Sequence, residues 1–492
     1  MTGSLDAALL IGAAVLLVAV GAVRISTRLG LPSLLVYLAI GMVIGEGGFG
    51  IRFDDAELTR TLGFCALIVI IAEGGLTARW STLRPVLGLA AGLATVGVAV
   101  SIAVVGLAVH LILDLDWRLA LLYGAVLSST DAAAVFSVLR GVGVSKRLRG
   151  ALELESGMND APVVLAVVVL ASDDPITWLT PVLVVYELLA GAVVGYALGR
   201  AGAWALRRAA LPSTGLYPLA AIACCLLAYS AGTLLHSSGL LATYVAALVL
   251  GNSNLPHRGD VLSFAEGTGW LAQIGLFVLL GLYASPQRLV DAVVPALIAG
   301  VVLVVAARPL SVIVAAAPFR VPWREQAFLS WSGLRGAVPI VLALVALQEG
   351  ATNGQRLVDA VFVLVVVLTL LQGTTLPFVA RRLGVVAGEP QEIEVDAAPL
   401  DELGADLLQV RVPVGSRLRG VYLRELRLPR GATVSLVVRD EEAFTPTVDT
   451  RLRVGDQILV VTTVAAREAT ERRIRAVDRA GRLARWHGES GR

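Results

Sequence analysis

The chain has 492 residues, 57% hydrophobic and only 16% charged, with a mean hydropathy of +0.79. That balance excludes an ordinary soluble globular protein and marks a polytopic membrane protein. A net charge of +2 provides no broad basic field, so nucleic acid is not expected as a partner.

Apolar segments follow one another at 5–23, 32–50, 61–78, 85–112, 118–139, 150–171, 179–206, 215–235, 238–251, 266–284, 289–316, 325–347 and 357–380. A bilayer takes roughly 20 residues of helix. The expectation is an all-α polytopic membrane protein of about thirteen transmembrane helices, with 238–251 the least secure. The first segment has Asp6 and no basic residue before it, so it reads as a retained helix rather than a cleaved leader. Connecting loops alternate in charge. Arg24 and Arg28, Arg79 and Arg84, Arg140 to Arg149, Arg200 to Arg208, Arg258, Arg320 and Arg324, and Arg381 and Arg382 mark one side. Asp114, Asp116, Asp173 and Asp174 mark the other. The excess of arginine on cytoplasmic loops then puts the N-terminus outside and the C-terminus in the cytoplasm of a cell-membrane protein. Cys65, Cys224 and Cys225 lie in apolar runs and the four histidines are scattered, which argues against a disulfide or metal cluster.

Polar residues interrupt this apolar text at a few places. In the sixth segment, Glu153-Leu154-Glu155-Ser156-Gly157-Met158-Asn159-Asp160-Ala161-Pro162 runs into apolar residues. On a helix Ser156 and Asp160 share one face, and Glu155 and Asn159 the adjoining one. A carboxylate at membrane depth is costly and is a functional candidate by default. The competing reading makes Asp160 an interfacial helix-start residue, with Pro162 in the first turn. In the fifth segment, Ser128-Ser129-Thr130-Asp131 suits an unwound stretch, with Asp131 meeting the positive end of a half-helix. In the twelfth, Ser332-Gly333-Leu334-Arg335-Gly336-Ala337-Val338-Pro339 makes continuous helix costly. There Arg335 needs a carboxylate partner unless it snorkels to the interface. One interrupted helix in each half of a chain points to a transporter's midplane site. Glu73, near the end of the third segment, is either interfacial or part of that site. An alkali cation wants hard oxygen ligands and one negative charge. Asp160 supplies the charge, Ser156 a hydroxyl, and the backbone near Thr130 carbonyl oxygens. A carboxylate that holds a proton or a cation, never both, exchanges them one for one without net charge movement.

Together, Glu155 to Pro162, Ser129-Thr130-Asp131 and Gly333-Leu334-Arg335-Gly336 resemble the cation:proton antiporter-1 family, the NhaP- and NHE-type exchangers, over residues 1–382. The resemblance implies inverted repeats with two crossing broken helices and an elevator-like homodimer. It also implies electroneutral exchange, from the Asn159-Asp160 pair. Asp160 becomes the transported-ion carboxylate, with Ser156 and the Thr130 main chain as further ligands and Glu73 reaching the ion in some members. Glu155 and Arg335 match a buried salt bridge to which Asn159 is tied, and Asp131 matches the acidic partner of the crossing.

Residues 383–400 read as a linker, 401–482 as a small α+β domain, and 483–492 as a disordered tail. Strands are expected at 407–412, 432–438 and 456–461, and a charged helix at 463–482. Val410 to Ser416, Gly420 to Leu426, Arg439-Asp440 and Gly455-Asp456 resemble the RCK C-terminal (TrkA-C) domain. The resemblance implies a dimerising module that takes a small regulatory ligand such as a nucleotide, and tilts the cargo to potassium over sodium. No resident cofactor is expected, and the non-protein partners are K+ or Na+, H+ and membrane lipid. A ligand-gated potassium channel would need a filter loop. The nearest text, Gly141-Val142-Gly143-Val144, lies in a basic loop without a pore helix. No nucleophile–base pair suggests an enzyme.

Overall fold

This computed structural model describes residues 6, 10, 12–22, 32–51, 53–131, 134–135, 138, 143–172, 175, 177–386, 405–440 and 442–481. The chain forms two compact units, Met1–Pro390 and Gln391–Arg492. The linker expected at 383–400 lies beyond Val386 outside the described residues, as do the tail at 483–492 and Gly141-Val142.

In the first unit the helices are α1 (Gly12–Ala22), α2 (Ser33–Ile44), α3 (Ala56–Thr77), α4 (Trp80–Leu113), α5 (Trp117–Val126), α6 (Lys146–Ala171) and α7 (Thr180–Arg208). They continue as α8 (Leu216–Leu234), α9 (Gly239–Gly251), α10 (Arg258–Tyr283), α11 (Pro286–Phe319), α12 (Trp323–Trp331), α13 (Val338–Gln348) and α14 (Gly354–Leu383). Among the described residues, eight helices are long and apolar enough to cross a membrane, and five shorter apolar ones accompany them. Polar caps set several starts. Asp55, Ser145 and Ser238 accept the Leu58, Leu148 and Leu241 N–H groups, satisfying donors that a helix start leaves open.

Helices α2, α3 and α7–α10 pack mainly among themselves, as do α4–α6 with α11–α14. In the first set small residues let backbones meet. A Cβ on Gly195 would lie 2.3 Å from the Ala242 carbonyl oxygen. The segment expected at 238–251 is helix α9, short and buried on almost every side.

The second set repeats one pattern twice. A helix of 34 residues is followed by a broken helix and then a long helix: α4–α5–α6 and α11–α12/α13–α14. Both 34-residue helices contain a π turn, Leu93–Gly97 in α4 and Leu303–Ala307 in α11. Such turns shift side-chain register and gather at functional sites.

The second unit is an antiparallel sheet, order β1-β4-β2-β3, of β1 (Ala405–Arg411), β2 (Ala432–Arg439), β3 (Glu442–Phe444) and β4 (Gln457–Thr463). A short helix α15 (Leu423–Leu426) and α16 (Arg467–Ala480) complete it. Ile474 and Val477 of α16 close a core with Leu426, Val437, Ile458 and Val460. Strand β3 was not expected. It is three residues long and depends on Asp440 taking a left-handed φ of 49°.

Candidate ion-binding site

Asp160 lies midway along α6, with Pro162 inside the helix. This removes the helix-start reading: Ser145 caps the helix about four turns earlier. Proline has no N–H, so one backbone hydrogen bond near Asp160 is missing. Asp160 is 4% exposed, and the Ser129 hydroxyl donates to its Oδ1 at 2.6 Å.

Ser129 belongs to the first helix break. After α5, residues 127–131 are not helical, so the Ser128, Ser129 and Thr130 carbonyls are taken by side chains instead of a next turn. The Ser156 hydroxyl donates to the Thr130 carbonyl at 2.8 Å, and Asn159 Nδ2 to the Thr130 hydroxyl at 2.7 Å. Asp160, Ser156, Asn159 and Thr130 therefore meet in one place. Buried Asn159 Oδ1 has no hydrogen-bond partner among the described residues, an unusual state for a buried acceptor. Asp131 Oδ1 accepts the Ala134 N–H at 3.1 Å and so caps the helical residues that follow.

The second break, 332–337 between α12 and α13, crosses the first. The Asp131 N–H donates to the Leu334 carbonyl at 2.9 Å. Gly336 is a glycine because the Asp131 carboxylate rests on it; a Cβ there would lie 1.8 Å from Oδ2.

The expected Glu155–Arg335 salt bridge needs correction. Glu155 pairs with Arg308 through two bonds, Nη1 to Oε1 at 2.5 Å and Nη2 to Oε2 at 3.0 Å. Arg308 directly follows the α11 π turn and lies over Gly333, where a Cβ would be 2.8 Å from Nε. Arg335, 1% exposed, instead donates to the Ser128 and Ser129 carbonyls at 3.0 and 2.5 Å. A fixed cation there answers the negative end of α5 and holds the crossing together. Glu73 is not part of the Asp160 cluster. Its side chain packs on Gly269 of α10 and faces Glu266 and Glu153.

Ser129 and Arg308 were not singled out in the sequence. Ser129 adjoins Thr130 in a run already marked as polar, but which hydroxyl turns inward depends on how the break folds. Arg308 carried the same signal as Arg335, being the one charge between Asp291 and Arg320.

The arrangement offers a carboxylate, hydroxyls, a backbone carbonyl and an amide oxygen in a buried site. These are hard oxygens suited to an alkali cation, and the carboxylate can take a proton instead.

A family model described as sodium/hydrogen exchanger, transmembrane, matches residues 13–382, and one for the TrkA-C domain matches 407–475. The K(+)/H(+) antiporter NhaP of Alkalimonas amylolytica is 35% identical over 482 residues, covering 94% of this chain and 84% of that protein. The K(+)/H(+) antiporter NhaP2 of Shewanella baltica is 34% identical, covering 93% and 81%. The Na(+)/H(+) antiporter ApNhaP of Aphanothece halophytica is 27% identical over 70% of this chain and 69% of its own. The solved structure of the sodium proton antiporter MjNhaP1 from Methanocaldococcus jannaschii has a TM-score of 0.68 at 22% identity, covering 77% of this chain and 99% of that one. At that identity the likeness speaks for the fold.

Proposed function

This chain belongs to the sodium/hydrogen exchanger family, and on that premise we propose that it exchanges a monovalent cation for a proton across a membrane. The observation that carries the mechanism is buried Asp160, set against Ser129 where two helix breaks cross. Proton and cation compete for its carboxylate. Ser156, the Thr130 main chain and Asn159 Oδ1 complete the oxygen set around the ion. Asp131, Arg335 and the Glu155–Arg308 pair keep the breaks in register and take no part in the exchange itself. One carboxylate carrying either cargo makes the cycle electroneutral.

The cargo is potassium in the first reading, with sodium as the second. In support, relatives named potassium/proton antiporters match almost the whole chain, C-terminal domain included. The relative named for sodium matches less of it. The arginine pattern of the loops favours the N-terminus outside and the C-terminal domain in the cytoplasm. That domain takes a small regulatory ligand, and the working unit is a homodimer embedded in lipid.

The test is cation-dependent proton movement in proteoliposomes at zero membrane potential, with potassium and sodium compared. Dissipation of a pH gradient by potassium, unchanged when the potential is clamped at other values, is expected. A rate set by the potential, or none with either ion, overturns the reading.

A further inference from the structure

One helix set passes to the other at two corners of the same make. Residues 78 and 79 join α3 to α4, and residues 284 and 285 join α10 to α11. Ala78 has φ −64° and ψ 132°, and Arg79 −96° and 113°. Ala284 has φ −71° and ψ 125°, and Ser285 −103° and 115°. Each corner is thus two extended residues between helices, and each entering helix is held backbone to backbone by its own set. A Cβ on Gly251 of α9 would collide with the Leu76 carbonyl oxygen, and one on Gly281 of α10 with that of Leu38 in α2. Side chains grip the two corners differently. At the first, Asn252 bonds backbone groups, the Ala78 carbonyl and the Trp80 N–H. At the second, the grip closes into a ring. The Tyr283 hydroxyl donates to Gln355 Oε1 at 3.0 Å, and Gln355 Nε2 donates to Asp359 Oδ1 at 3.1 Å. Arg288 Nε pairs with Asp359 Oδ2 at 3.6 Å, and Arg288 Nη2 donates to the Tyr283 carbonyl at 3.3 Å. The same guanidinium lies 5.7 Å over the Tyr283 ring, and Tyr283 and Asp359 are buried. Tyr283 ends α10 in one set, whereas Arg288 of α11 and Gln355 and Asp359 of α14 belong to the other.

We propose that this ring is a latch: Arg288, Gln355 and Asp359 of one set grip Tyr283 of the other, hold the two sets in the present arrangement, and let go before Asp160 changes sides. The proposal rests on the antiporter reading, in which one helix bundle moves against another around the ion site. Two helices joined by two extended residues can pivot there without losing helical hydrogen bonds, because a few backbone torsions absorb the change. Arg288 lies three residues past the second corner and moves little in such a turn. Gln355 stands on a different helix, and the turn draws its amide away from the Tyr283 hydroxyl. Closed, the hydroxyl, amide, carboxylate and guanidinium satisfy one another. Opened, the buried Tyr283 hydroxyl loses its partner. The latch therefore deepens the present arrangement relative to the other, and leaving it is the slow step of the cycle. With the N-terminus outside, the latched corner faces the exterior and the Asn252 corner the cytoplasm.

Full-length protein in proteoliposomes tests the latch. Tyr283→Phe deletes the donor hydroxyl and Gln355→Leu its acceptor, and neither residue touches the Asp160 cluster. Each is expected to raise Vmax for cation–proton exchange severalfold with far less change in KM, and the two together to do no more than either alone. If Vmax fails to rise in one of them, the latch is overturned, since a merely structural contact would cost activity together with stability. A second arm fixes the two sets in place. In Tyr283→Cys with Gln355→Cys, bridging by a bis-methanethiosulfonate is expected to stop exchange, and reductant to restore it, while each single cysteine variant treated alike keeps its rate. Exchange at full rate in the bridged protein overturns the proposal whatever the point variants do. Absence of exchange in the unaltered protein would instead be the failure of the antiporter reading, seen before any residue of the latch is changed.

Discussion

At the scale of single residues, the site separates groups that exchange cargo from groups that hold the frame. Asp160 accepts the Ser129 hydroxyl and lies one turn from Ser156, which donates to the Thr130 carbonyl. Asp160→Asn keeps the volume and a hydrogen-bonding group but cannot carry charge. It is expected to lose exchange entirely while its melting temperature stays near that of the unaltered protein, and proteoliposome flux with a thermal melt checks both. The Glu155–Arg308 pair is a different matter. Both groups are buried, so removing one strands the other's charge. Arg308→Met is expected to cost about 3–5 kcal/mol, read as a large drop in melting temperature. Restoring neutrality with Glu155→Gln in the same chain should recover part of it. Recovery by a change at Arg335 instead would contradict the pairing.

Between elements, two junctions matter most. One is the crossing of the breaks, held by the Asp131 N–H on Leu334, the Arg335 guanidinium on Ser128 and Ser129, and the Thr369 hydroxyl on the Arg335 carbonyl at 2.9 Å. Gly336→Ala pushes a methyl group into the Asp131 carboxylate. Loss of both exchange and thermal stability is expected, larger than for Gly275→Ala, where nothing lies within 4 Å of the added carbon. The other junction is the α3–α4 corner, where one helix set passes to the other. Asn252, just after α9, accepts the Trp80 N–H at 2.8 Å and donates to the Ala78 carbonyl at 2.8 Å. It acts as a cap supplied from far along the sequence. Asn252→Ala is expected to cost about 1 kcal/mol, as loss of a helix cap does. Faster hydrogen exchange at the Trp80 amide would locate the effect.

For the whole molecule, transport and regulation divide with the two compact units. Deleting residues 391–492 removes the second unit and is expected to leave Asp160-dependent exchange in place, altered in rate or in response to small ligands. Loss of all exchange in a folded truncation would contradict that division. Exchange should also fall at acid pH as protons occupy Asp160, and raising the cation concentration should shift the fall to lower pH. In the second unit, Asp456 is buried yet accepts two bonds from Arg439 at 2.8 Å and one from the Arg453 N–H at 2.7 Å. Burial alone would raise its carboxyl pKa, but these bonds outweigh it and hold the carboxyl below the ordinary range. Its folded value is thus lower than its unfolded one. The stability it adds is fully present above the unfolded value, near pH 4, and is lost as pH falls through the folded value. Asp456→Asn should lower the melting transition of this domain at neutral pH, with the difference closing toward strong acid.

Much of this protein is set by short-range rules. Apolar runs must be helices in a bilayer because backbone groups there have no water to bond, so segment positions follow from composition alone. Gly333 and Gly336 weaken a helix and Pro339 suits only a first turn, and Asp160 is costly in apolar surroundings whatever its partners. Strand and helix periods in residues 405–481 are equally local. Contacts across the fold are not. Arg308 rather than Arg335 meets Glu155, and Arg308 directly follows a π turn far along the chain, at a sequence separation of 153 residues from Glu155. That Ser129 rather than Ser128 turns to Asp160, and that Tyr244 fills the space over Gly157, depends on how three separate helices pack. Partner choice is a matter of angstroms in space, and only the folded chain decides those distances.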